Sequence, residues 1–202
     1  MNRLFKTIDE FPQFKILIDS FDTIICEYNN FIQNNAFITK NNNFIKPHKK
    51  TVEWIKQQKN NEDYYKKGGN ANNWIVIPLY KDKFCFKNEF TKTNNILKKI
   101  ENLNFSGFFC LKSNQSIPYH KHDTKTVIIH INMFTLFDGK AFTYLDESNN
   151  GDPNTFEDYC SYYEKKGMKN IKDYVIFNPF LYHYAENKSI TDRITFGVEV
   201  KI

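Results

Sequence analysis

Arginine is nearly missing from this chain of 202 residues: Arg3 and Arg193 are the only two among 28 basic side chains. Nucleic-acid readers lean on arginine for base edges. The formal charge of +5 comes instead from lysines dispersed through acidic and polar sequence. No basic stripe forms, so the charge reads as a solvated surface and nucleic acid is not an expected partner. Glycine is scarce as well, at 7 residues. The four cysteines, Cys26, Cys85, Cys110 and Cys160, form no CxxC pair and exclude a zinc knuckle. Unpaired thiols suit a reducing compartment. No apolar run approaches the length of a membrane span, and Met1 to Asp9 hold charge where a signal peptide needs an apolar stretch. These absences together lead us to expect a cytoplasmic protein with no membrane partner.

Aromatics are what the chain has in excess, with 20 Phe and 12 Tyr. They allow a substantial core despite a mean hydropathy of -0.61. The bias toward Asn, Lys, Ile and Phe over Gly, Ala and Arg matches the imprint of an AT-rich genome and says little about function. From Pro12 to Asn34 apolar residues recur at helical spacing (Phe14, Leu17, Phe21, Ile24, Tyr28, Phe31). Asn34 to Lys50 reads as a loop, Thr51 to Lys59 as a short helix, and Asn60 to Asn73 as a polar connector. Residues 1–73 are therefore expected to form an N-terminal helical segment packed on the core.

The texture changes at Trp74. Residues 74–80 predict a strand and 89–103 a helix. Short β-type runs then follow at 105–111, 116–119, 126–134, 140–145, 173–177 and 193–202. This pattern predicts a mainly β domain over 74–202, a sandwich or jelly roll. The stretch 149–170 opens on Asn149-Asn150-Gly151-Asp152-Pro153 and continues with tyrosines at near-helical spacing. It is expected to be a helical insertion or lid.

Four of the five histidines lie between positions 120 and 183. His120-Lys121-His122-Asp123 forms one cluster and His183 stands alone, so two different strands could supply imidazoles to one metal. Either His122 or Asp123 could complete such a site, and a solvated turn explains both equally. Alternation from Thr126 puts Thr126, Ile128, His130 and Asn132 on one strand face, opposite the wholly apolar Val127, Ile129, Ile131 and Met133. His130 then points away from the dry core, as a cosubstrate contact or as a hydrogen-bonded strand histidine. Arg193 opens an apolar strand-like run ten residues after His183. A guanidinium there presents a planar fork to a carboxylate, which lysine cannot do. Its other reading is a pair with an acid such as Glu199.

From Trp74 onward the chain resembles the aspartyl/asparaginyl β-hydroxylases. The motifs are Trp74 with Pro78-Leu79, Ile117-Pro118-Tyr119-His120, the strand ending at His130, the Gly139 turn, and Val175-Ile176-Phe177 running into His183. The ten-residue step to Arg193 completes the set. The resemblance implies a double-stranded β-helix, a cupin-like jelly roll, using Fe(II), 2-oxoglutarate and O2. It implies His120 and His183 as metal ligands, Arg193 on the far carboxylate of 2-oxoglutarate and His130 on the near one. It further implies hydroxylation of an amino-acid, peptide or protein side chain, with release of succinate and carbon dioxide. The chain departs from the family at Ile128, where an arginine is usual, and near Phe109, where a serine is often found. The alternative reading is a metal-binding cupin module that does not use 2-oxoglutarate or is not a catalyst.

Overall fold

The computed structural model describes residues 4–35, 74–136, 141–146 and 163–202. The helix expected at 51–59 and the connectors around it lie outside these residues.

Apolar spacing builds the N-terminal helices. A 3-10 turn, Pro12–Phe14, leads into α1 (Lys15–Asp19) and α2 (Phe21–Asn35). They break at Ser20, whose N–H caps α1 on the Ile16 carbonyl while its own carbonyl accepts from Thr23 and Ile24 to open α2. Leu17, Phe21, Ile24, Tyr28, Phe31 and Ile32 form the buried face. A third helix, α3 (Thr91–Leu97), docks on α2, where Glu27 accepts the Lys92 and Thr93 amides. This helix is shorter than the expected 89–103. The chain turns at Asn102, in the left-handed region at φ 55°, and enters the next strand at Leu103.

The described residues hold ten strands: β1 (Trp74–Lys81) and β2 (Lys83–Phe84) before α3, then β3 (Leu103–Leu111), β4 (Gln115–His120), β5 (Thr126–Asn132), β6 (Ala141–Asp146), β7 (Tyr163–Met168), β8 (Tyr174–Phe177), β9 (Tyr182–Asn187) and β10 (Arg193–Lys201). They form two antiparallel sheets. One is ordered β2-β1-β3-β10-β5-β8 and the other β4-β9-β6-β7. From β3 to β10 the chain passes back and forth between the sheets, so that β10 is inserted between β3 and β5. That strand order is the double-stranded β-helix of the jelly roll, and the fold expectation is borne out.

Two expectations need correction. The end of the expected helical insertion, residues 163–168, is strand β7, paired in register with β6 from Ala141↔Met168 to Asp146↔Tyr163. Its run of Glu164, Lys165, Lys166 and Gly167 lacks the apolar alternation of a half-buried strand. An edge position tolerates such a sequence because only one side of the strand is paired. β9 was likewise absent from the β-type runs, being as polar as a loop in its sequence (Tyr182 to Asn187).

Alternation assigns the two faces of the larger sheet. Val127, Ile129 and Ile131 of β5 join Ile194, Phe196, Val198 and Val200 of β10 in the core shared with α1 and α2. Tyr28 lies 4.7 Å from Phe108 there, ring centre to ring centre. Each such buried Phe, Leu or Ile contributes about 1.5–3 kcal/mol. The other face looks into the lumen between the sheets. Here Ile128, Val175 and Phe177 meet Leu145 and Met168 of the smaller sheet, and Phe5 fills the same cluster. Phe5 is carried in by the N-terminal strand segment, whose Lys6 amide donates to the Ile176 carbonyl at 2.8 Å.

Candidate metal centre

β4 and β9 bring the first two histidines together. They pair antiparallel, with a register shift between Ile117 and His120 that places His120 directly across from His183. The shift spans Pro118, which has no N–H to give the ladder. The His120 and His183 ring centres are 4.2 Å apart. Beyond β4 the chain is tied down by the His122 amide, which donates to the Pro179 carbonyl at 2.8 Å. That bond turns His122 toward the same point, 5.3 Å from His183 and 5.7 Å from His120 between ring centres. One nitrogen of each of the three rings lies within 4.8 Å of the others. Asp123 is exposed and lies outside the cluster, so among the described residues the side chain that joins His120 and His183 is His122.

Burial keeps the innermost of the three rings neutral. His183 is buried, and burial, with His120 and His122 close by, holds its pKa well below the ordinary histidine value. A neutral ring keeps a lone pair for a metal. Its Nδ1–H donates to the Leu181 carbonyl at 2.9 Å, leaving Nε2 as the donor atom. Three imidazoles suit zinc, copper, iron or nickel, so these residues fit a divalent transition metal.

His130 sits on the neighbouring lumen face of β5, with Nδ1 3.0 Å from Thr195 Oγ1. Burial, followed by the charges of Arg193 and His122, pushes its pKa down to about 3, so it is neutral at physiological pH. Its ring is packed edge to face against Phe109 at 4.9 Å and stacked on Phe177 at 6.1 Å. Gly197 lies directly beneath: a Cβ there would stand 2.4 Å from the Phe109 ring and 3.2 Å from His130 Cε1. Glycine is thus what allows Phe109 and His130 to lie against β10.

Arg193 occupies the same lumen-side register of β10 as Thr195 and Gly197. It is only 5% exposed, and among the described residues its Nε has no hydrogen-bond partner. Burial lowers its pKa to about 10, so it remains a cation. Among the described residues no carboxylate pairs with it. The adjacent Asp192 is engaged by Lys112 Nζ at 2.8 Å, the Ser113 amide at 2.9 Å and Cys110 Sγ at 3.7 Å. Glu199, the partner considered for Arg193 from sequence, is instead 3.5 Å from His122 Nδ1 and accepts from Thr126 Oγ1. Burial pulls the Glu199 pKa up, but hydrogen bonds from His122 and Thr126 outweigh it and leave the pKa lowered. Glu199 and Thr195 were not read as site residues. Both lie at alternate positions from Arg193, which puts them on its face of the strand, but what each one meets there is set by the pairing of β10 with β5.

Fold and site together define a cupin-like double-stranded β-helix with a three-histidine cluster able to hold a metal ion. No family model matches the chain, and no curated protein matches it. Solved structures share its shape at low identity. A predicted oxalate decarboxylase from Thermotoga maritima is 15% identical, with 64% of this chain and 81% of that one covered at a TM-score of 0.38. The cupin domain of an XRE-family transcriptional regulator from Enterobacter cloacae is 11% identical over 64% and 98%, with a TM-score of 0.39. An RmlC-like cupin protein from Desulfovibrio desulfuricans is 11% identical over 65% and 85%, with a TM-score of 0.37. These are likenesses of shape alone, and the fold assignment rests on the strand order. Among the described residues no helix is long and apolar enough to cross a membrane.

Proposed function

We propose that this chain is an Fe(II)/2-oxoglutarate-dependent dioxygenase that hydroxylates an amino-acid, peptide or protein side chain. The observation that carries the reading is Arg193, a buried guanidinium facing the lumen with its Nε unsatisfied. An unpaired buried charge is costly, and a carboxylate-bearing ligand would relieve that cost with a charge-assisted pair. His120, His122 and His183 would hold the iron. The chemistry such a centre supplies when loaded is coupling the oxidative decarboxylation of 2-oxoglutarate, to succinate and carbon dioxide, to hydroxylation of a C–H bond.

The chain's own residues bind, orient and exclude water. Arg193 fixes one carboxylate of the cosubstrate. His130, held neutral, offers its free ring nitrogen to the other end without adding a charge. Phe109 and Phe177 pack on His130, and such apolar cover would strengthen a polar contact made by that ring. The side-chain substrate follows from the motif resemblance to the aspartyl/asparaginyl β-hydroxylases.

Anaerobic titration with Fe(II) and 2-oxoglutarate tests this directly. The expected result is a visible charge-transfer band that is lost in His183→Ala. In Arg193→Lys the band should need about ten- to hundredfold more 2-oxoglutarate, as the bidentate contact is lost. Metal binding without any band in the wild type would overturn the reading. It would favour a cupin-like metal module that does not use 2-oxoglutarate. Two observations lean that way: the third donor is a histidine in place of a carboxylate, and position 128 holds isoleucine.

A further inference from the structure

We infer that Glu199 is the carboxylate of this metal centre, acting from outside the coordination shell by holding His122. The inference rests on the metal-centre half of the proposed function and is independent of 2-oxoglutarate.

Three neutral imidazoles bring no negative charge to a divalent ion. The carboxylate nearest in sequence, Asp123, is exposed and apart from the cluster. Glu199 arrives from a distant part of the chain. The register of β10 on β5 sets Glu199 across from Ile128 and Lys201 across from Thr126, which brings the Thr126 hydroxyl onto Glu199 Oε1. That same oxygen lies 3.5 Å from His122 Nδ1. Glu199 is 6% exposed, a burial unusual for an acid. The Asn104 side chain also hydrogen-bonds the carboxylate, and Oε1, anchored by the Thr126 hydroxyl, is the oxygen that faces the ring of His122.

An ionised carboxylate can only accept, so His122 carries its proton on Nδ1 and presents Nε2 to the metal. A carboxylate behind a ligating histidine fixes the ring, selects the tautomer and raises its basicity, and losing one costs about 10–100-fold in metal affinity. Glu199 is therefore a positioning residue. It restores electrostatically the carboxylate that the inner shell lacks.

The test uses Co(II) as the probe, with affinity measured by chelator competition on the full chain. Glu199→Gln keeps the shape and removes the charge, and should weaken Co(II) binding by about 10–100-fold. Asp123→Asn should stay within about twofold. The reverse pattern, or a Glu199→Gln affinity equal to wild type, overturns the assignment. Should Glu199→Gln fail to fold, long-range proton–nitrogen correlation on metal-free wild type decides the matter. His122 protonated on Nδ1 supports the inference, and His122 protonated mainly on Nε2 overturns it. A wild type that binds no Co(II) removes the metal centre and this inference together. Tight Co(II) binding with no 2-oxoglutarate band removes the proposed activity alone.

Discussion

Arg193 and Gly197 share one face of β10 and make opposite demands on stability. Arg193 is a buried charge with no carboxylate partner among the described residues, so Arg193→Met should raise the stability of the metal-free protein, by about 1–3 kcal/mol, because a desolvated polar group is replaced by an apolar chain of similar length. The same variant should lose 2-oxoglutarate binding. Urea denaturation and the anaerobic titration, run on one preparation, check both outcomes. Gly197→Ala should act the other way. Its methyl would stand inside the Phe109 ring contact, and overpacking of this kind costs about 1–3 kcal/mol. Phe109→Leu in the same chain should recover part of that loss, which a double-mutant cycle in urea would measure. At this scale the sequence was informative where a residue type was rare or oddly placed. His120, His183 and Arg193 stood out in that way. Glu199 did not, because its meaning depends on its register opposite β5, and register is a long-range property that no local spacing encodes.

At the scale of elements, legibility followed hydrophobic period. β5 and the N-terminal helices carry clean alternation and clean helical spacing, and both emerged close to their expected bounds. β7 and β9 carry neither. One is a lysine-bearing edge strand, and the other spends its inward positions on His183 and Asn187 rather than on aliphatic side chains. A strand that serves a site loses the pattern by which strands are recognised. Helix α2 offers a sharper test of packing. Tyr28 is fully buried on Phe108, and among the described residues its hydroxyl has no hydrogen-bond partner. Tyr28→Phe should leave the melting temperature unchanged or raise it, since it removes an unsatisfied polar atom and keeps the ring. A clear fall in melting temperature would show that the hydroxyl is hydrogen-bonded in solution.

For the whole molecule, the buried histidines set the response to acid. His130 and His183 are both held neutral in the folded state, while in the unfolded chain each titrates near the ordinary value of 6.5. Below that pH the unfolded state takes up protons that the folded state refuses, so stability falls as pH falls. The slope is about 1.4 kcal/mol per pH unit for each such histidine. Glu199, with its lowered pKa, adds a loss in the same direction at lower pH. Metal-free protein should thus lose stability steadily from about pH 6.5 downward, and His130→Gln should make the decline shallower by one histidine's share. Denaturant midpoints across that range give the slopes.

The place of Phe5 bears on how the molecule comes together. Its partners in the lumen, Ile128, Leu145, Met168, Val175 and Phe177, all lie far downstream. Phe5 is made well before them, so its contacts in the lumen can form only once β8 has been made. Long loops of this kind close late in folding. The strap at Leu4–Lys6 is accordingly the seal of an assembled barrel and not the seed of one, and a nascent chain stalled before β8 would display an exposed phenylalanine to whatever chaperone is waiting.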